Sequence, residues 1–142
     1  MSPAVSAPGL GDVIPYWYLW WREHERGEDA GRKWRPCVVI AVASGETSPL
    51  LAVLPITHAS PNEDRAAIEI PPRIKNHLGL DAQPSWVICD EQNEFHWPGF
   101  DLERTPSGAS SFGAVPDAFL QKVRDLHHQV RRCGGLKSTP RD

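Results

Sequence analysis

Cysteine is scarce in this chain: Cys37, Cys89 and Cys133 are the only three in 142 residues, and no two of them form a CxxC pair. An odd count without paired spacing excludes a disulfide framework and argues against structural zinc. The six histidines do not change this, because His127 and His128 point to different sides of a helix and His24, His58, His77 and His96 share no ligand-like spacing. No metal and no cofactor are therefore expected. Cys37 and Cys89 lie inside apolar runs and read as reduced core residues, which suits the cytoplasm. Long apolar runs are also missing, and the Pro- and Ser-rich start has neither a basic segment nor a continuous apolar one. That pattern predicts neither a signal peptide nor a membrane span. Nor is there an excess of positive charge: the formal net charge is −3, so the chain does not coat duplex nucleic acid by bulk electrostatics, although a local basic groove is compatible with it.

What is present reads as one domain. Residues 1–10 are expected as a loose tail, 11–132 as the folded unit and 133–142 as a second tail. Val13 to Trp21 is almost wholly apolar and aromatic, and Pro15 makes it an edge or starting strand. Its rings are either barrel core or a stacking platform for bases. Arg22 to Lys33 is a charged loop in which acids alternate with bases. Cys37 to Val42 and Leu50 to Leu54 are short β-branched and aliphatic runs bounded by turn formers, and pair as a hairpin across Ser44 to Pro49. Ala66 to Ile70 and Ser85 to Cys89 are further strands, with a single helical turn over Arg73 to Leu78 between them. Pro116 opens a helix whose apolar positions Phe119, Val123, Leu126 and Val130 share one face, and Gly134-Gly135 ends it. Five or six short strands with one terminal helix predict a small, partly closed antiparallel barrel.

Two residues stand where chemistry would be placed. Arg35-Pro36 opens the second strand and Pro55-Ile56-Thr57-His58 closes the third, so neighbouring strands bring a guanidinium and a hydroxyl to one end of the sheet. A guanidinium offers five donors and stays charged, which suits a phosphate. The competing reading is a solvated edge arginine beside a turn-forming threonine.

With these residues in this order, the chain resembles the MazF/PemK (Kid-like) toxins of type II toxin–antitoxin systems. The resemblance runs from Gly11 to about Val130, through Gly11-Asp12-Val13-Ile14, Arg35-Pro36-Cys37-Val38-Val39, Val53 to Thr57, Gly79-Leu80, the strand Ser85 to Cys89, Glu91-Gln92 and the C-terminal helix. It implies an SH3-like barrel that dimerises, pairs with an antitoxin and cuts single-stranded RNA at short sequences. Arg35 takes the place of the catalytic arginine and Thr57 that of the hydroxyl holding the scissile phosphate. Glu28 and Asp29 compete for a general-base role, with Glu28 preferred for its reach. Trp20, Trp21, Lys33, His58 and Gln92 are the expected substrate contacts, and His58 is a further candidate acid or base. Two alternatives belong to the same fold class: a CcdB-like toxin that binds DNA gyrase without cleaving anything, and an inactive scaffold.

Overall fold

Uniformly apolar strands belong in a sheet that is covered on both sides, and β2 (Arg35–Ala43) and β3 (Leu50–Thr57) are the centre of such a sheet. The computed structural model describes residues 7–44 and 48–142. Most of the expected N-terminal tail and the middle of the hairpin turn lie outside these residues. Around the central pair stand β1 (Asp12–Tyr16), β4 (Ala67–Glu69), β5 (Trp86–Ile88), β6 (Glu91–His96), β7 (Gly113–Ala114) and β8 (Lys137–Pro140). Among the described residues, three helices complete the fold: α1 (Trp21–Glu25), α2 (Pro72–His77) and α3 (Asp117–Arg132). The strand order is β4-β5-β3-β2-β1-β7, with β6 beside the first half of β3 and β8 beyond β6. Pairing is antiparallel except between β6 and β8. Because β3 pairs with β6 through Leu50–Val53 and with β5 through Ile56 and Thr57, the sheet curls into a half-barrel.

Alternate residues of β2 and β3 serve two different cores. Val38, Ile40, Leu54 and Ile56 pack under α2 and α3, against Ile74, Leu78, Phe119, Leu120 and Val123. Cys37, Val39, Leu51 and Val53 face a second core built from Tyr16, Tyr18, Trp20, Phe95 and Trp97. Burying one large apolar side chain is worth about 1.5–3 kcal/mol, so both faces stabilise the sheet. Burial also pushes both core thiols up, Cys89 to about 12, and leaves Cys37 and Cys89 as unreactive packing groups.

The structure departs from the expected elements in three places. The aromatic segment is a strand only to Tyr16, and Trp21–Glu25 turns into α1 within the charged loop. The cause lies in β6: Asn93 is fully buried, accepts the Leu19 N–H (2.9 Å) and donates to the Leu19 carbonyl (2.8 Å), so a side chain stands in for a strand. Second, Glu91 to His96 is a strand, where the sequence reading assigned no element. Third, residues 137–140 are not a tail. They pair with Glu91–Glu94, and Gly134, at φ +77, ends α3 and lets the chain turn back to the sheet.

Candidate functional site

Three prolines mark one end of the sheet. Pro15 faces Pro36 across β1 and β2, and Pro55 faces Cys37 across β2 and β3. None can donate to the ladder, so regular pairing weakens there. Continuing the β2–β3 register two residues beyond Cys37 and Pro55 sets Arg35 opposite Thr57. Both line a pocket of about 680 Å³ at this end of the half-barrel, a size suited to a nucleotide-scale ligand.

Arg35 lies over the Trp20 ring, with its guanidinium carbon 4.9 Å from the ring centroid. Its Nε is buried and has no hydrogen-bond partner among the described residues. Burial draws the guanidinium below the usual arginine range, as expected for a charge kept from water without a matching anion. Trp20 itself is held by its neighbours. Its backbone N–H donates to the buried Glu23 carboxylate (3.2 Å), while the next residue's N–H donates to Glu91 (2.9 Å). Arg22 and Arg65 also approach the ring, at 5.0 and 5.9 Å. Arg65 is already engaged by Asp90 and Glu91.

Thr57 Oγ1 accepts the Ala59 N–H at 3.1 Å, which orients the hydroxyl at the strand end. His58 follows it, half-exposed, with Nε2 2.9 Å from Asp81 Oδ2. Lys75 of α2, only 5% exposed along its side chain, donates to Asp81 (2.8 Å), to Ser85 Oγ (2.7 Å) and to the Gln83 carbonyl. The Lys75 ammonium, and then the hydrogen bond from His58, holds the Asp81 carboxyl below the usual carboxylate range. Trp34 and Phe112, stacked at 6.3 Å, form the apolar wall. Among the described residues, the charged lining comprises Arg22, Lys33, Arg35 and Lys75 against the carboxylate of Asp81, a locally basic cleft on an acidic chain.

Of the residues singled out from the sequence, Arg35, Thr57, Trp20, Lys33 and His58 meet in this pocket. Trp20 is not an open stacking face, since it is buried beneath guanidinium groups. Trp21 lies outside the pocket lining, against His24 and Lys137. Glu28 does not reach the pocket either: Arg32 binds both of its carboxylate oxygens (3.1 and 2.9 Å), and that bond keeps its carboxyl below the usual range. Asp29 is exposed and likewise outside the lining. Gln92 is buried, with its amide donating to Glu94 and Ser138 and its carbonyl 2.8 Å from His127 Nε2, so no group remains for a ligand. The sequence reading missed Lys75, Asp81, Trp34 and Phe112. Only Trp34, next to Arg35, carried a local signal; the others reach the site from distant elements.

A family model for PemK-like, MazF-like toxins of type II toxin–antitoxin systems matches residues 16–98. The chain belongs to this family. Comparison with curated proteins and with solved structures gives no match. The matched stretch contains Arg35, Thr57, His58, Lys75 and Asp81, while α3 and β8 lie beyond it. Membership of this family implies an antitoxin as partner. The half-barrel with its long helix near the C-terminus fits the small barrel expected of MazF and PemK proteins. No helix among the described residues is long and apolar enough to cross a membrane.

Proposed function

We propose that this toxin is an endoribonuclease that cleaves single-stranded RNA, with Arg35 and Thr57 clamping the scissile phosphate while the substrate's own 2′-hydroxyl attacks it. The observation that carries this reading is the buried Arg35 Nε without a partner, in the same basic pocket as Thr57. A desolvated guanidinium gains most where negative charge develops, as it does on a pentavalent phosphorane. A preorganised contact of this kind is worth on the order of 10²–10³-fold in rate. The nucleophile belongs to the substrate, so the reaction proceeds without a divalent ion, spares DNA and leaves 2′,3′-cyclic phosphate and 5′-hydroxyl ends.

The working unit in this reading is a cytoplasmic homodimer. Exposed Val42 and Phe100 supply apolar surface for it, and the antitoxin's acidic tail docks near Trp20, Trp21 and the basic side chains of the mixed-charge segment from Arg22 to Arg35. The test is to digest a long mixed-sequence single-stranded RNA with purified protein in EDTA, alongside Arg35→Ala. Metal-free cleavage that the variant loses is the expected result. Intact RNA from a protein that still arrests growth would instead point to gyrase binding, and cleavage that requires magnesium would refute the mechanism. Light scattering gives the mass of the particle.

A further inference from the structure

We propose that His58 is the proton acceptor for the attacking 2′-hydroxyl and that Asp81 positions it, an assignment that rests on the ribonuclease reading of the pocket. A carboxylate only accepts hydrogen bonds. With Nε2 2.9 and 3.1 Å from the two Asp81 oxygens, the neutral imidazole carries its proton on Nε2 and has its lone pair on Nδ1. Asp81 is rigid in turn, because Oδ1 also accepts from Lys75 Nζ (2.8 Å) and from the Gln83 N–H (3.1 Å). The His58 side chain is half-exposed and follows the phosphate-holding Thr57 directly, so a substrate seated on Thr57 lies within its reach.

Elimination among the lining residues leads to the same group. The charged groups that share the pocket with His58 are Arg22, Lys33, Arg35, Lys75 and Asp81. The four cations have no lone pair to offer, and Lys75 already spends its three donors on Asp81, Gln83 and Ser85. Asp81 is a weak base, because the Lys75 ammonium stabilises its anion. Glu28 is held by Arg32 outside the pocket. In the step itself, His58 Nδ1 takes the 2′-hydroxyl proton and O2′ bonds to phosphorus. The bond from phosphorus to O5′ then breaks, the departing oxygen takes a proton from water, and the imidazolium returns its own proton to solvent.

The experiment compares single-turnover cleavage of single-stranded RNA by the wild type, His58→Ala, Asp81→Asn and Arg35→Ala, each with and without added imidazole across pH. Loss of a general base slows a reaction on the order of 10²–10⁴-fold, so His58→Ala should fall by about 10²-fold or more and lose the acid limb of the pH–rate profile. Imidazole should then restore at least about tenfold, tracking its free-base form, and it should not rescue Arg35→Ala. Asp81→Asn should lower the saturating single-turnover rate about tenfold, and in parallel steady-state runs kcat with KM unchanged, the signature of a misplaced base rather than lost binding. Thermal melts check that each variant folds. His58→Ala that cuts at the wild-type rate, or that is slow and not rescued at any pH, overturns the assignment while the ribonuclease reading stands. A wild type that leaves RNA intact overturns both.

Discussion

Arg35 and Arg141 are both arginines set over an aromatic ring, yet they stand in opposite situations. Arg141 lies 5.3 Å from the Tyr16 ring, its side chain is 2% exposed, and Nη1 donates to Tyr16 Oη, the Trp17 carbonyl and Asn93 Oδ1. Its Nη2 lies 3.0 Å from Asp101 Oδ2, an ion pair without hydrogen-bond geometry, so charge compensation rather than a full set of hydrogen bonds sets it apart from Arg35. Arg35 has a ring beneath it but no partner for Nε, and it faces a pocket. The first guanidinium ties the C-terminal strand to the aromatic core; the second holds its donors in reserve. Buried polar groups are ordinarily satisfied; of the three buried side-chain atoms without a hydrogen-bond partner among the described residues, Arg35 Nε, Thr139 Oγ1 and Arg141 Nη2, only Arg35 Nε belongs to a residue lining the basic pocket, where a ligand would complete it.

The largest effects should separate the two arginines. Arg35→Ala should reduce RNA cleavage by about 10²-fold or more and leave the urea midpoint almost unchanged. Arg35→Lys should recover little, because an ammonium cannot reproduce the planar fork. Arg141→Ala should do the reverse. Removing one partner of a buried pair costs about 3–5 kcal/mol, so its urea midpoint should fall sharply while cleavage per folded molecule is retained. If Arg141→Ala abolished cleavage in a fully folded protein, the contrast between the two would collapse.

Gln92 extends the comparison to an amide. It is buried between β8 and α3 with every contact made inside the protein, so Gln92→Ala should cost about 1–3 kcal/mol through the groups it leaves unpaired. The KM for RNA should not move. Its partner His127 gives a smaller, pH-dependent effect. Burial is the first cause that holds the His127 imidazole below its ordinary value, followed by Arg131, so the unfolded state binds the proton more readily than the folded one. Its contribution is present above the unfolded value near 6.5 and is lost as pH falls from there through the folded value. Urea midpoints should therefore decline below about pH 6.5, and His127→Gln should flatten that decline. Smallest of all is Glu28→Gln: with the carboxylate outside the pocket, neither rate nor midpoint should change measurably. A large loss of cleavage would put this loop back into the mechanism.

Much of this was legible in the residues themselves. Two central strands, one long amphipathic helix ended by glycine, and the pairing of Arg35 with Thr57 follow from periodicity, turn chemistry and the antiparallel register, all of which are local or nearly so. The amphipathic face was placed slightly off: Leu120 and His127 are buried where Leu126 and Val130 are only partly covered, because the helix rotates to bring His127 to Gln92. Lys137–Pro140 carried no strand signal, since a short edge strand is set by the neighbour it meets rather than by its own composition.

The sequence by itself determined the hairpin, the arginine at one strand end and the hydroxyl at the other, because a strand's period of two and a two-strand register are enough to bring those groups together. Only the tertiary structure decided which charged groups are free. Asp81 reaches His58 across 23 positions and Asn93 reaches Leu19 across 74, and no periodicity spans such distances. It also engaged Glu28 and Gln92 outside the pocket and left Arg35 with a donor unpaired among the described residues, because a side chain's availability depends on every partner that folding places around it.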